Sequence, residues 1–189
     1  IIIQMIKNII FCYTCLMIGL KRGTVKLLKY DPEWINDFNK EKEKLKKYLG
    51  SLIVDIQHIG STSIPGMLSK PIIDIDVGVK FVRDFIKVIK ILIENGYEYR
   101  ENAHKTNVHI LFAKGPEENR THYIHVIKYN GQIWKRDIAF RDYLRTDKEE
   151  AREYLNIKKD LAKKFSLSRN KYTKNKEKFI KRIISLVFQ

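Results

Sequence analysis

Cysteine is nearly absent from this sequence: 189 residues hold two, Cys12 and Cys15. A disulfide framework is thereby excluded. Their C-x-x-C spacing lacks both the two further ligands of a zinc site and the strand-to-helix setting of a redox motif. The pair reads as incidental, and a reducing, cytoplasmic setting is expected. Long apolar runs are also wanting. The continuous run at residues 9–20 falls short of the roughly 20 residues that a bilayer crossing needs, so no membrane span is expected. Residues 1–20 carry one charge, Lys7, and no A-x-A-like site follows them, which argues against a signal peptide. Met5 and Met17 both offer starts, and residues 1–20 are read as an extension outside the domain. Nine glycines and four prolines make no low-complexity linker, and no internal repeat is visible.

What remains is a chain suited to one core, a single domain over residues 24–189. A hydrophobic fraction of 44% with 31% charged residues excludes wholesale disorder. Acids are outnumbered by Lys and Arg, 22 to 37, giving a net charge of +15. That balance favours anionic partners, although lysine on a solvated face carries no message of its own. Residues 158–182 hold eleven Lys or Arg against two acids. Without an aromatic platform or reading motif this run reads as a solvated helical face first, and as an RNA-binding surface second.

Periodicity supplies the elements. Residues 24–30 form an edge strand or an extended lead-in. Asp31, Pro32 and Glu33 open a helix as cap, first-turn proline and dipole-compensating acid. Its stripe is Trp34, Phe38, Leu45 and Leu49, and its charged face at residues 40–47 reads as solvated. Gly50 ends it. Strands are expected over residues 52–59, 71–79, 97–100, 108–114 and 121–129, the last two joined as a hairpin. Helices are expected over residues 81–95 and 132–145, from a T-x-x-E capping box at Thr146 to Glu149, and from about residue 171 onward. The sum is an α+β (mixed α/β) domain: a mixed sheet of about five strands flanked by helices, with a helical C-terminal region.

Residues 57–79, QHIGSTSIPGMLSKPIIDIDVGV, carry the chemistry. Gly60, Ser61 and Thr62 form a small-residue turn whose amides and hydroxyls suit a phosphate. Asp74 and Asp76, two apart on a strand, project from one face. Adjacent carboxylates repel unless a cation lies between them, and oxygen-only ligands suit Mg²⁺. The flanking run is too apolar for an edge strand. His58, just before the turn, reads as an orienting hydrogen-bond partner. His122 and His125 fall on opposite faces of their strand, so at most one faces the aspartates.

A Gly-Ser turn followed by D-x-D on a strand resembles the signature of the nucleotidyltransferase superfamily, with the DNA polymerase β-like fold. A narrower resemblance, to the GrpB family, rests on YDPEW at residues 30–34, HIGSTSIPG at 58–66, KPIIDIDVGV at 70–79, THYIHV at 121–126 and FRDYLR at 140–145. The resemblance implies that Gly60, Ser61 and Thr62 hold nucleotide phosphates and that Asp74 and Asp76 bind Mg²⁺ or Mn²⁺. Two departures stand out. The later strands offer no third carboxylate, only histidines, of which His125 is the candidate ligand or general base. The turn also lacks a cation, so Lys70, Arg141 and Arg145 are the candidates for triphosphate charge; FRDYLR is equally readable as a helix held by Asp142 ion pairs.

The resulting expectation is a metal-dependent nucleotidyltransferase acting on a nucleotide or another phosphorylated small molecule. The alternatives are a catalytically inactive nucleotide-binding or regulatory module, and a basic RNA-binding protein.

Overall fold

Alternation along each strand gives the sheet one greasy face and one chemical face. The computed structural model describes residues 18–103 and 107–188. Its strands are β1 (Ile53–Ile59), β2 (Ile73–Val79), β3 (Glu98–Tyr99), β4 (His109–Lys114) and β5 (His122–Lys128). They form one sheet in the order β1-β2-β5-β4-β3. β2 and β5 run parallel, and the other pairings are antiparallel. This is the mixed five-stranded α+β arrangement expected from the sequence. β2 lies inside the sheet, which is why its β-branched run is apolar almost throughout.

The helices are α1 (Glu33–Leu49), α2 (Phe85–Glu94), α3 (Gln132–Thr146), α4 (Lys148–Lys164) and α5 (Arg169–Val187). Ile73, Ile75, Val77 and Val79 of β2 pack with Phe112, Ile124 and Val126 under the α1 stripe of Trp34, Phe38, Leu45 and Leu49, and under Val88 and Leu92 of α2. Each such side chain contributes about 2 kcal/mol through burial. The Asp31 carboxylate accepts from the Glu33 amide at 3.0 Å, and Gly50, at φ 50°, stops α1.

The other face is covered by α3. At Gly78 a Cβ would lie 2.8 Å from the Trp134 ring, so β2 and α3 approach closely there. α4 and α5 pack outside α3 around Leu144, Tyr154, Phe179 and Ile183, joined by Ile64 and Met67 from the segment after the Gly60 turn.

Several expected boundaries shift. Residues 82–84 form a 3-10 turn before α2 begins at Phe85, and β3 shrinks to two residues. The cap of α4 is Asp147 rather than Thr146. Thr146 ends α3, with its hydroxyl donating back to the carbonyls of Asp142 and Tyr143. Asp147, in extended conformation, accepts from the amides of Glu149 and Glu150 at 3.0 and 2.9 Å. Residues 24–30 make an extended lead-in: Leu28 pairs with Ser69, and Val25 donates to the Ser166 carbonyl at 2.7 Å. The preceding residues 18–20 attach as well, Gly19 to Pro71 and Leu20 to Arg120. The rest of the apolar stretch, residues 1–17, lies outside the described residues. Among the described residues no helix is long and apolar enough to cross a membrane.

Two histidines are sealed into the greasy face. His58 stacks on Phe38 with centroids 4.8 Å apart. His122 lies beside buried Glu41, which accepts from the Tyr97 hydroxyl at 2.6 Å and from the Lys114 ammonium at 2.5 Å. Burial pushes both imidazoles down from 6.5 to about 4. The unfolded chain therefore takes up protons at these sites before the folded one does, and stability is lost as pH falls from 6.5 toward 4. The upper bound is about 3 kcal/mol for each ring. Urea unfolding between pH 7 and pH 4.5 is expected to give a falling midpoint, with a shallower fall in His122→Gln. A second urea series checks the helix junction. Asp147→Ala should lose about 1 kcal/mol by removing the cap, and Thr146→Ala distinctly less.

Candidate functional site

The register collects the chemical residues on the α3 side of the sheet. Asp74 is level with Ile59 of β1 and Tyr123 of β5; Asp76 is level with Gln57 and His125. The two aspartates share one face, as their spacing predicts, and of the two strand histidines it is His125 that joins them. His122 falls on the opposite face, level with Ile73.

Asp76 is fully buried, and among the described residues neither of its carboxylate oxygens has a hydrogen-bond partner. Burial first, then the charge of Asp137, drive its carboxyl well above the usual carboxylate range. Asp74 differs. Burial works against its ionisation, but a hydrogen bond and charge from His125, together with the charges of Lys70 and Arg169, outweigh that and hold it below its ordinary value. For His125 the balance has the same form: burial disfavours the charged ring, and Asp74, Asp76 and Asp137 prevail and raise it. Its Nε2 stands 3.9 Å from Asp74 Oδ1, while Nδ1 lies 2.9 Å from His109 Nε2. The His125 ring therefore stands between the Asp74 carboxylate and a second imidazole, His109.

The turn lies directly against Asp74. Gly60 has φ 69°, and a Cβ built on it would sit 2.6 Å from Asp74 Oδ2, so the position needs glycine twice over. Ser61–Ser63 form a 3-10 turn. Thr62 is buried and bonded to His58 at 3.0 Å, and Ser63 Oγ donates to the Gly60 carbonyl at 2.6 Å. His58 thus orients the turn, as its position before Gly60 suggests. Arg141, also buried, donates to the His58 carbonyl at 2.9 Å and to Gln57 Oε1 at 2.8 Å. Arg145 donates to the Ser63 carbonyl at 3.1 and 2.7 Å through Nε and a terminal nitrogen. Asp142 accepts from both guanidinium groups, at 2.7 Å from Arg141 and 3.2 Å from Arg145. These arginines brace the turn through its carbonyls, and Asp142 fixes their forks.

Lys70 stands elsewhere, beside Asp74 with Lys158, Arg169 and Lys176. None of those three was singled out from the sequence. Lys158, Arg169 and Lys176 belong to the basic run of residues 158–182, where no spacing distinguishes them from exposed neighbours. Asp137 escapes the sequence reading for another reason: it comes from a helix, whereas the third acid is expected on a later strand. Trp134 and Leu144 fix the inward stripe of α3, and the buried Arg141 lies on it. Asp137, three residues after Trp134, falls on that stripe too, which was the available signal.

Among the described residues no group of three or more His, Cys, Asp or Glu side chains is gathered tightly enough to hold a metal ion. Mg²⁺ commonly takes only one or two carboxylates and completes its shell with water and substrate phosphate. A carboxylate pair whose buried member has unsatisfied oxygens fits such an ion by donor chemistry.

Residues 24–185 match the family model described as GrpB protein. The glutamate-rich protein GrpB of Alkalihalophilus pseudofirmus is 36% identical over 172 residues, covering 89% of this chain and 99% of that one. The crystal structure of conserved protein GrpB from Enterococcus faecalis superposes with a TM-score of 0.78 at 34% identity, covering 86% of this chain and 96% of that one. The Cid1 poly(U) polymerase with MgGTP bound superposes with a TM-score of 0.51 at 15% identity, covering 71% of this chain and 44% of that one, a likeness of fold alone. The chain has a nucleotidyltransferase-like fold and belongs to the GrpB family.

Proposed function

We propose that this protein is a divalent-metal-dependent nucleotidyltransferase, moving a nucleotidyl group from an NTP to a hydroxyl of an acceptor. The observation that carries the reading is Asp76: a fully buried carboxylate without a hydrogen-bond partner among the described residues, two residues from Asp74 and in a sheet whose turn at Gly60 abuts that second carboxylate. Left alone, such a group is costly. A cation shared with Asp74 would offset that cost. The fold likeness to Cid1, whose structure carries MgGTP, points the same way.

In the reaction the acceptor oxygen bonds to the α-phosphorus, the bond from that phosphorus to the bridging oxygen breaks, and pyrophosphate leaves with its electron pair. Asp74 and Asp76 would hold Mg²⁺ or Mn²⁺, which supplies charge neutralisation at the phosphates and a lowered pKa for the acceptor hydroxyl. The protein's own groups divide the remaining work. His125, raised by its carboxylate neighbours, aims Asp74 and, in its neutral form, takes the acceptor's proton as general base. Gly60 keeps side-chain bulk away from the carboxylate, and Arg141 and Arg145 hold the turn's backbone toward the phosphates. Asp137 adds negative charge to the cation site from α3.

Labelled NTPs with Mg²⁺ or Mn²⁺ are expected to give pyrophosphate release in the wild type, cut at least about 100-fold in Asp76→Asn. Nucleotide binding without release would support a binding module instead. RNA binding that survives loss of both aspartates and falls steeply with salt would support the basic RNA-binding reading. Thermal unfolding supplies a readout free of catalysis. Metal-free Asp76→Asn should melt above the metal-free wild type at neutral pH, because the cost of keeping a buried, acid-flanked carboxyl there is gone, and Mn²⁺ should raise only the wild-type melting temperature. Gly60→Ala, which drives a methyl into Asp74 Oδ2, should lose most of the Mn²⁺ shift and most of the activity.

A further inference from the structure

Beside the aspartates the protein accumulates positive charge without its complement. Lys70, on the loop entering β2, and Lys176 of α5 both stand over the Tyr172 ring, Nζ lying 6.0 and 4.6 Å from its centroid. Arg169, the first residue of α5, stacks over Tyr123 at 4.4 Å and donates to its hydroxyl at 3.0 Å. Lys158 of α4 is fully buried, 5.3 Å from the Tyr154 centroid, and donates to the Leu68 carbonyl. Among the described residues none of these four cations forms an ion pair, although Lys and Arg elsewhere pair repeatedly. The acid that both Lys70 and Lys158 feel is Asp74. Burial, with Arg169 and Lys176 adding to it, brings Lys70 down to about 7, and burial with Lys176 and Lys70 brings Lys158 well below its ordinary value.

Lys158 is buried and Lys70, Arg169 and Lys176 are half-buried, and a buried cation with others close by calls for an acid or a bound anion. Strand register separates this cluster from the turn. Gly60 follows Ile59 on the β1 side of Asp74, whereas Tyr123, which carries Arg169, flanks Asp74 on the β5 side. We propose that Lys70, Lys158, Arg169 and Lys176 form a binding site for an oligophosphate chain, filled without metal and distinct from the Gly60 turn. The four cations come from three separate elements, and two of them, Lys70 and Lys176, meet over the one ring of Tyr172. The ring faces of Tyr172, Tyr154 and Tyr123 hold their stems in place, which reduces the side-chain entropy lost on binding. A chain of two or three phosphates brings enough negative charge, and enough length, to meet several of these cations together. A lone phosphate does not. The site deepens the transfer reading and rests on it only for the identity of the natural ligand.

The test is binding of sodium tripolyphosphate, pyrophosphate and inorganic phosphate to the full chain in EDTA, by calorimetry. Tripolyphosphate is expected to bind at least tenfold more tightly than phosphate. The double variant Lys70→Met, Lys176→Met and the single variant Arg169→Gln should each weaken it at least tenfold, and Lys171→Gln, exposed on the same helix, should leave it unchanged. A second measurement uses wild-type protein only: bound tripolyphosphate should slow acetylation of Lys70 and Lys176, and not of Lys171, as read by mass spectrometry. Absence of tripolyphosphate binding in EDTA, equal binding by Arg169→Gln, or unprotected Lys70 and Lys176 would each overturn the proposal. Tripolyphosphate binding without pyrophosphate release from any NTP would leave this site standing and sink the transfer reading. Pyrophosphate release without metal-free tripolyphosphate binding would do the reverse.

Discussion

Everything near the centre of the sheet is arranged around one unsatisfied group, the Asp76 carboxylate. Its strand is buried on both sides, which keeps bulk water from completing its hydrogen bonds, and among the described residues no donor reaches it. The greasy face beneath offsets that cost. Ile73, Ile75, Val77 and Val79 pack under α1 and α2 and keep β2 fixed between β1 and β5. On that strand and beside it the titrating groups are pushed apart: Asp74 below its ordinary value, His125 above its own and Asp76 well above the carboxylate range. Such separation of adjacent groups within one site is characteristic of places where ions or protons are exchanged.

The second constraint is the closeness of turn and carboxylate. Gly60 can lie against Asp74 because it has no side chain and tolerates positive φ. Glycine alone would leave the turn loose. His58, Arg141 and Arg145 supply the stiffness from behind, each through a hydrogen bond to a turn hydroxyl or a main-chain carbonyl. Residues of opposite character therefore share one task. The flexible one makes room, and the charged ones remove the freedom that it introduces.

Much of this was legible in the sequence. The D-x-D alternation placed both aspartates on one face, the i to i+3 offset put His122 and His125 on opposite faces, and the apolar flanks marked β2 as interior. These are consequences of period and burial, which local sequence encodes. What was not legible depends on packing between distant elements. The place of Asp137 beside Asp76 follows from where α3 crosses the sheet at Gly78, and no window of sequence contains both. The selection of Lys158, Arg169 and Lys176 from a run of similar residues follows from how α4 and α5 dock. Arg141 and Arg145 looked available for phosphate because one helical turn separates them; that their donors go to carbonyls of the Gly60 segment is a tertiary fact. The one-residue shift from Thr146 to Asp147 is of another kind, since both residues can cap and the end of α3 decides between them.

The lead-in segment has a consequence for how the molecule is built. Gly23 and Val25 are hydrogen-bonded to Arg169 and Ser166, and Leu28 to Ser69, so early residues hold together the loop that bears Lys70 and the start of α5 that bears Arg169. During synthesis these partners emerge far apart in time. The sheet and its aspartates can assemble once β5 has appeared, but the cationic side must wait for α5. Both aspartates and the whole sheet thus precede Arg169 and Lys176 in the chain, and the bonds of Gly23 and Val25 to Arg169 and Ser166 can form only after that stretch has been made.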